Sequence, residues 1–258
     1  MRLRLTGALL GGAAIIVAGC GAERKAPETD ARAGAAAVPK KVKTVREPQL
    51  PHIPEPRRFP GKLNPGDTGE DVRDLQDRLN ATGYWNGKPD GRFEERTTQA
   101  VYALQKAAGL PRDGVVGRKT WAALERGTAP RARLTSPGYH AEVDLRRQIL
   151  VLVRDGRVEQ VLNTSTGSGE SYVSRGISKV AVTPEGDWKV YKQVDGWDSG
   201  PLGSLYRPKY FRGGIAVHGY GSVPPQPASH GCVRVSLDAM DWLWKSPWLK
   251  RGSEVHVY

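Results

Sequence analysis

Apolar and polar positions alternate differently along the chain, and the changes mark its parts. Leu5 to Ala18 is apolar or small, broken only by Thr6 and glycines. That run is too short to span a bilayer and predicts the core of a signal peptide. From Ala22 to about Lys62 no hydrophobic period is visible, and Ala, Pro, Lys and Arg dominate. Such a composition predicts a disordered, partly extended tether. Order is expected from Leu63. Thr68-Gly69-Glu70-Asp71 reads as a capped helix start with acids in its first turn, and Val72, Leu75 and Leu79 then share one helical face. Gly83 ends that helix. A second is predicted from Glu94 to Ala108, with Ala100, Val101, Leu104 and Ala108 inward, stopped by Gly109-Leu110-Pro111. A short third helix holds Trp121 and Leu124.

The pattern changes near Tyr139. Ile149 to Val153 is a continuous apolar run, which predicts a buried strand. Asp155-Gly156 predicts a two-residue hairpin turn, with the chain returning over Val158 to Thr166. Val180–Val182, Trp188–Tyr191, Ile215–Val217, Val233–Val235 and Val255–Val257 read as further strands. One helix, about Leu237 to Lys245, follows an N-cap at Ser236. The expected class is α+β and multidomain: a small three-helix bundle, then a mainly β, sandwich-like domain.

With 38% hydrophobic residues the chain has enough for packed cores but little for a membrane protein. The formal charge of +12 suits anionic partners, membrane surface or cell wall among them, or a solvated basic face. No nucleic-acid motif is present, so nucleic acid is not expected as a partner. Only two cysteines occur, Cys20 and Cys232, so a disulfide framework does not organise the fold.

Arg2 and Arg4 precede the apolar run, which ends in Val17-Ala18-Gly19-Cys20. This resembles the lipobox of bacterial lipoproteins. The resemblance implies cleavage before Cys20, a lipid on its sulfur, and export to the outer side of the cell membrane, facing the wall or periplasm. Two acyl chains hold a protein on a membrane where one would not. Further along, Asp90-Gly91-Arg92-Phe93 precedes Thr97, and Asp113-Gly114-Val115-Val116-Gly117 precedes Thr120, an internal echo of a turn-helix unit. With Gly66-Asp67-Thr68-Gly69, Leu75-Gln76, Gly83-Tyr84, Gln105 and Thr120-Trp121, the segment resembles the peptidoglycan-binding domain 1 family. Binding to glycan or stem peptide is what that resemblance implies.

Cys232 sits in a polar, glycine-bearing turn, Ser229-His230-Gly231-Cys232, with His218 fourteen positions upstream. A thiol becomes a strong nucleophile when an imidazole takes its proton. His218 follows the apolar Ile215-Ala216-Val217 and so stands at a strand end beside a loop. Gly231 lets backbone N–H groups approach a developing oxyanion. The set His218-Gly219, ten residues from Gly219 to Ala228, then Ser229-His230-Gly231-Cys232-Val233-Arg234 is similar to the L,D-transpeptidase catalytic domain family (YkuD-like). Thr183-Pro184-Glu185-Gly186 and Tyr210-Phe211-Arg212-Gly213-Gly214 add to the likeness.

That resemblance implies roles. Cys232 attacks the acyl donor. His218 is base and then acid, its other ring nitrogen oriented by a backbone carbonyl such as that of Gly219. The N–H groups of Gly231 and Cys232 form the oxyanion hole. His230, Ser229 and Arg234 shape the site, and Gly219, Ser229, Arg234 and Tyr210 face the substrate. The donor would be a stem tetrapeptide and the product a 3→3 cross-link. No cofactor is called for. Other readings of the same residues are a carboxypeptidase using water, a wall-anchoring lipoprotein without catalysis, and a zinc site on His218, His230 and Cys232. Of these the zinc site fits least, because the His-Gly-Cys spacing is unlike short zinc motifs. The parts are then residues 1–19 (signal peptide), 20–62 (tether), 63–127 (wall-binding module), 128–137 (linker) and 138–258 (catalytic domain).

Overall fold

Helix α1 (Glu70–Ala81) buries Val72, Leu75 and Leu79, the three positions that share one helical stripe. They meet Val101 and Leu104 of α2 (Glu95–Ala107) and Trp121 and Leu124 of α3 (Arg118–Glu125) in one apolar cluster. The computed structural model describes residue 55 and residues 58–258; the leader, Cys20 and nearly all of the tether lie outside the described residues.

The start of α1 differs from expectation. Gly69, not Thr68, occupies the N-cap, no side chain caps it, and Thr68 instead bridges Arg92. Gly69 has φ of 121°, a region glycine alone enters readily, and its amide donates to Gly91 O at 2.8 Å. The duplicated turn has a physical basis that the sequence only hinted at. Gln76 Nε2 donates to Asp90 Oδ1 and Thr97 Oγ1 while its Oε1 accepts from the Gly91 amide. Gln105 repeats the arrangement with Asp113, Thr120 and Gly114. In each unit one buried amide side chain satisfies a turn and a helix start together.

The β half forms two five-stranded sheets. The first runs β3-β2-β1-β12-β6, from β1 (Tyr139–Asp144), β2 (Ile149–Arg154), β3 (Arg157–Asn163), β6 (Gly186–Lys189) and β12 (Glu254–Val257). The second holds β7 (Lys192–Gln193), β8 (Trp197–Gly200), β9 (Gly203–Arg212), β10 (Ile215–Tyr220) and β11 (Val233–Ser236), in the order β11-β10-β9-β7 with β8 on β9. A separate hairpin joins β4 (Ser171–Ser174) to β5 (Ile177–Val180). Helix α4 (Leu237–Lys245) starts at Ser236, whose side chain accepts from the Ala239 amide.

Strand β2 is buried at every position but its last because both its faces are covered. Leu150 and Leu152 enter the core shared with Val217, Val233 and Met240 of the second sheet and α4. Ile149, Val151 and Val153 point the other way, into the cluster of the helical module. The described residues accordingly belong to one unit by contact. Among them no helix is long and apolar enough to cross a membrane.

Candidate active site

Strands β10 and β11 are parallel neighbours, with Val217 opposite Val233 and His218 opposite Arg234. Alternate residues of a strand share a face. Cys232 precedes β11 by one residue and stands two before Arg234, so Cys232, Arg234, His218 and Tyr220 gather on one side.

His218 is 1% exposed, and its Nδ1 lies 2.9 Å from Gly219 O. With Nδ1 donating to that carbonyl, Nε2 carries the lone pair. Burial pushes the imidazole down to about 4; the Gly219 contact opposes this, and the Arg234 charge adds to it. Burial likewise pushes the half-buried Cys232 thiol up, against a backbone hydrogen bond at Ala216 and the pull of Arg234. Burial thus favours the uncharged form of both groups. The thiol points to Gly214 O at 3.7 Å.

The turn before Cys232 is braced from within. Ser229 Oγ donates to Cys232 O at 2.6 Å and accepts from the Gly231 amide at 3.0 Å. Two expectations change as a result. Ser229 is buried, and its hydroxyl holds the turn instead of facing substrate. The Gly231 N–H is already given to Ser229 and is not a free oxyanion donor. Gly231 itself is needed for its backbone: φ is 137°, and a Cβ would meet Val182 O at 2.8 Å. Its carbonyl accepts from Thr183 Oγ1 at 2.7 Å, and that Thr183 hydroxyl in turn accepts from the Gly167 amide at 2.9 Å. Thr183 came to notice only through family likeness; its residue type alone carries no signal for this task.

Gly219 was expected both to orient His218 and to face substrate. A Cβ there would meet Tyr206 Cδ1 at 2.9 Å and Met240 Cβ at 3.0 Å, so the residue faces the core. It acts through its carbonyl on His218, not on substrate. Arg234 donates from Nη1 to Ala228 O at 3.0 Å and lies over the Tyr220 ring at 4.0 Å. Its Nε is buried and finds no partner among the described residues. Tyr210 pairs with Ala216 on the neighbouring strand and donates from its hydroxyl to Asp198 at 3.0 Å. Burial, that bond and the Asp198 charge push the phenol up. Asp198 also meets Lys192 Nζ at 3.0 Å, a pair the sequence reading did not single out because exposed charges on short strands carry no period. His230 is exposed, its ring edge-on to Tyr172 of the β4–β5 hairpin at 4.7 Å, which puts it at the rim rather than beside the buried His218. Among the described residues no three His, Cys, Asp or Glu side chains group as a metal would require.

Residues 138–257 match the L,D-transpeptidase catalytic domain family, and residues 68–124 match a peptidoglycan binding domain family. The chain is similar to the crystal structure of an L,D-transpeptidase from Xylanimonas cellulosilytica: 51% identity, TM-score 0.75, covering 79% of this chain and all of that one. A spore cortex-lytic enzyme of Bacillus cereus is 44% identical over 63 residues, 24% of each chain. An N-acetylmuramoyl-L-alanine amidase of Bacillus licheniformis is 42% identical over 78 residues, 30% of this chain and 22% of that one. The chain thus spans about a quarter of the length of these curated relatives.

Proposed function

Because this chain belongs to the L,D-transpeptidase family, we propose that it cross-links peptidoglycan through a Cys232 thioester. The observation that carries this reading is the shared face of the paired strands β10 and β11, with Cys232 and His218 on it and His218 Nδ1 anchored by Gly219 O. His218 Nε2 takes the thiol proton as Sγ adds to the donor carbonyl. The Cys232 N–H is the amide we assign to the developing oxyanion. The C–N bond then breaks, the imidazolium returns its proton to the leaving D-Ala amine, and a thioester remains. A side-chain amine of a second stem attacks that thioester, His218 takes its proton, and the thiol is restored. The donor is a stem tetrapeptide and the product a 3→3 cross-link. Arg234, on the same face as Cys232 and His218, is the group we assign to a donor carboxylate. The helical module holds the wall, and a lipid on Cys20 holds the chain at the membrane.

Intact-mass analysis with a carbapenem tests the nucleophile. One covalent adduct is expected on the wild type and none on Cys232→Ala; adducts on both, or on neither, overturn the assignment. Muropeptide products separate the acceptors: tripeptide stems without cross-links would mean that water, not an amine, receives the acyl group. Cys20→Ala should abolish lipid labelling and leader removal; a mature mass equal to that of the unaltered protein would refute the anchor.

A further inference from the structure

The ten residues that join His218 to the catalytic turn have no secondary structure of their own past Tyr220 and contain Pro224, Pro225 and Pro227. Prolines donate no hydrogen bond, so the segment 221–228 cannot tie itself together. It is tied from outside, largely through its carbonyls. Val223 O accepts from Gln99 Nε2 of α2 at 3.0 Å and from Asn163 Nδ2 at 3.2 Å. Pro225 O accepts from Arg112 Nη1 at 3.1 Å, just past α2. Gln226 O accepts from Ser165 Oγ at 2.8 Å, and the Ala228 amide donates to Thr166 O at 3.1 Å.

Two of these donors, Gln99 and Arg112, come from the helical module. The module also aims Asn163. Lys106 Nζ, 2% exposed as a residue, donates to Asn163 Oδ1, to Gln148 O at 2.9 Å and to Thr164 O at 2.9 Å. With Oδ1 held by Lys106, the Asn163 amide is turned toward Val223 O and Gln99 Oε1. The far ends of the segment fix Arg234: Ala228 O takes its Nη1, and Tyr220 lies under its guanidinium.

From this we infer that α2 of the wall-binding module is a positioning element of the active site, with Gln99, Lys106 and Arg112 setting the loop that aims Arg234 at the donor. These residues touch no reacting atom. They act by keeping the loop ordered before substrate arrives, so their loss makes each binding event order it again. The donor part rests on the transpeptidase reading; the loop part does not.

The test uses the full chain with Gln99→Leu and, because Arg112 lies nearer the surface and its loss threatens folding less, Arg112→Ala. Hydrogen exchange at the Ala228 amide, which donates to Thr166 O, should quicken about tenfold in both, as expected when the loop that carries it loses a buried hydrogen bond. KM for a tetrapeptide donor should rise by about tenfold with kcat within about twofold, the mark of lost uniform binding. Alkylation of Cys232 by iodoacetamide, which has no carboxylate for Arg234, should keep its rate. Unchanged exchange in both variants overturns the proposal. Faster exchange with KM unchanged overturns the link to Arg234. A fall in kcat and alkylation with KM unchanged shows general damage and also counts against it. A wild type that turns over no stem peptide sinks the transpeptidase reading, and exchange then decides this proposal by itself.

Discussion

His218 is held away from water, and that fixes how the site responds to pH. Its burial pushes the imidazole down to about 4, far below the usual 6.5. In the proposed reaction the imidazole is therefore already neutral across ordinary conditions, and acylation would need no deprotonation step first. The acid limb of kcat/KM should fall near pH 4, with activity rising as pH climbs through it; a limb near 6.5 would refute the buried, neutral base. Stability follows the same sign. An unfolded chain binds a proton on His218 below about 6.5 while the folded one does not, so stability is full above that pH and declines as pH falls toward 4. Thermal melts at pH 7 and 4.5 should show a larger loss for the wild type than for His218→Gln. The neighbouring residues divide in the same way. His218 and Cys232 share a face because a short loop joins β10 to the parallel β11, but His218 stands inside β10 and not at its end as the sequence suggests. The inward turn of Gly219 and Ser229 was not legible, since a glycine packed on Tyr206 and a serine bonded inside its own turn look in sequence like site residues.

At the scale of elements, what was legible is what local chemistry decides. The hairpin at Asp155-Gly156 forms with φ of 52° and 74°, both positive, as a two-residue turn with the strand twist demands. The start of α4 at Ser236 follows from one hydroxyl accepting the Ala239 amide at 3.3 Å. Ser236→Ala should therefore lower stability by about 1 kcal/mol in a denaturant melt, with the site chemistry unchanged. A loss under a few tenths would mean the cap contributes nothing. Strand β9, ten residues long, escaped the sequence pattern because its pairing with β7, β8 and β10 creates it, not its own alternation. The cap of α1 escaped because Gly69 meets Gly91, a partner twenty-two positions on.

For the whole molecule, the decisive residue is one whose type argued against it. A lysine on a helix reads as solvent-facing, and Lys106 sits one turn from the apolar stripe of α2. In the fold it is buried against the end of β3, where three oxygens match the three protons of an ammonium and offset the burial and the Arg112 charge that disfavour that charge. Elsewhere the two halves also meet: Trp85 lies against Trp242 of α4 with centroids 5.8 Å apart, the Trp85 amide donates to Val161 O at 3.1 Å, and the Val161 amide donates to Gly83 O at 2.8 Å. The segment expected as a linker is also docked, with the Arg133 and Leu134 amides both donating to the buried Glu142 carboxylate. Because the outer face of β2 is the floor of the helical cluster, neither half can open without exposing apolar surface of the other. Residues 58–258 should accordingly unfold in one transition, with calorimetric and van't Hoff enthalpies equal. Lys106→Met keeps the volume but removes the three donors. It should lower the midpoint while leaving the two halves coupled, because the apolar floor persists. Two separated transitions in the wild type would show that the helical module and the β sheets stand independently, and α2 would then be no part of the frame that holds the loop before Cys232.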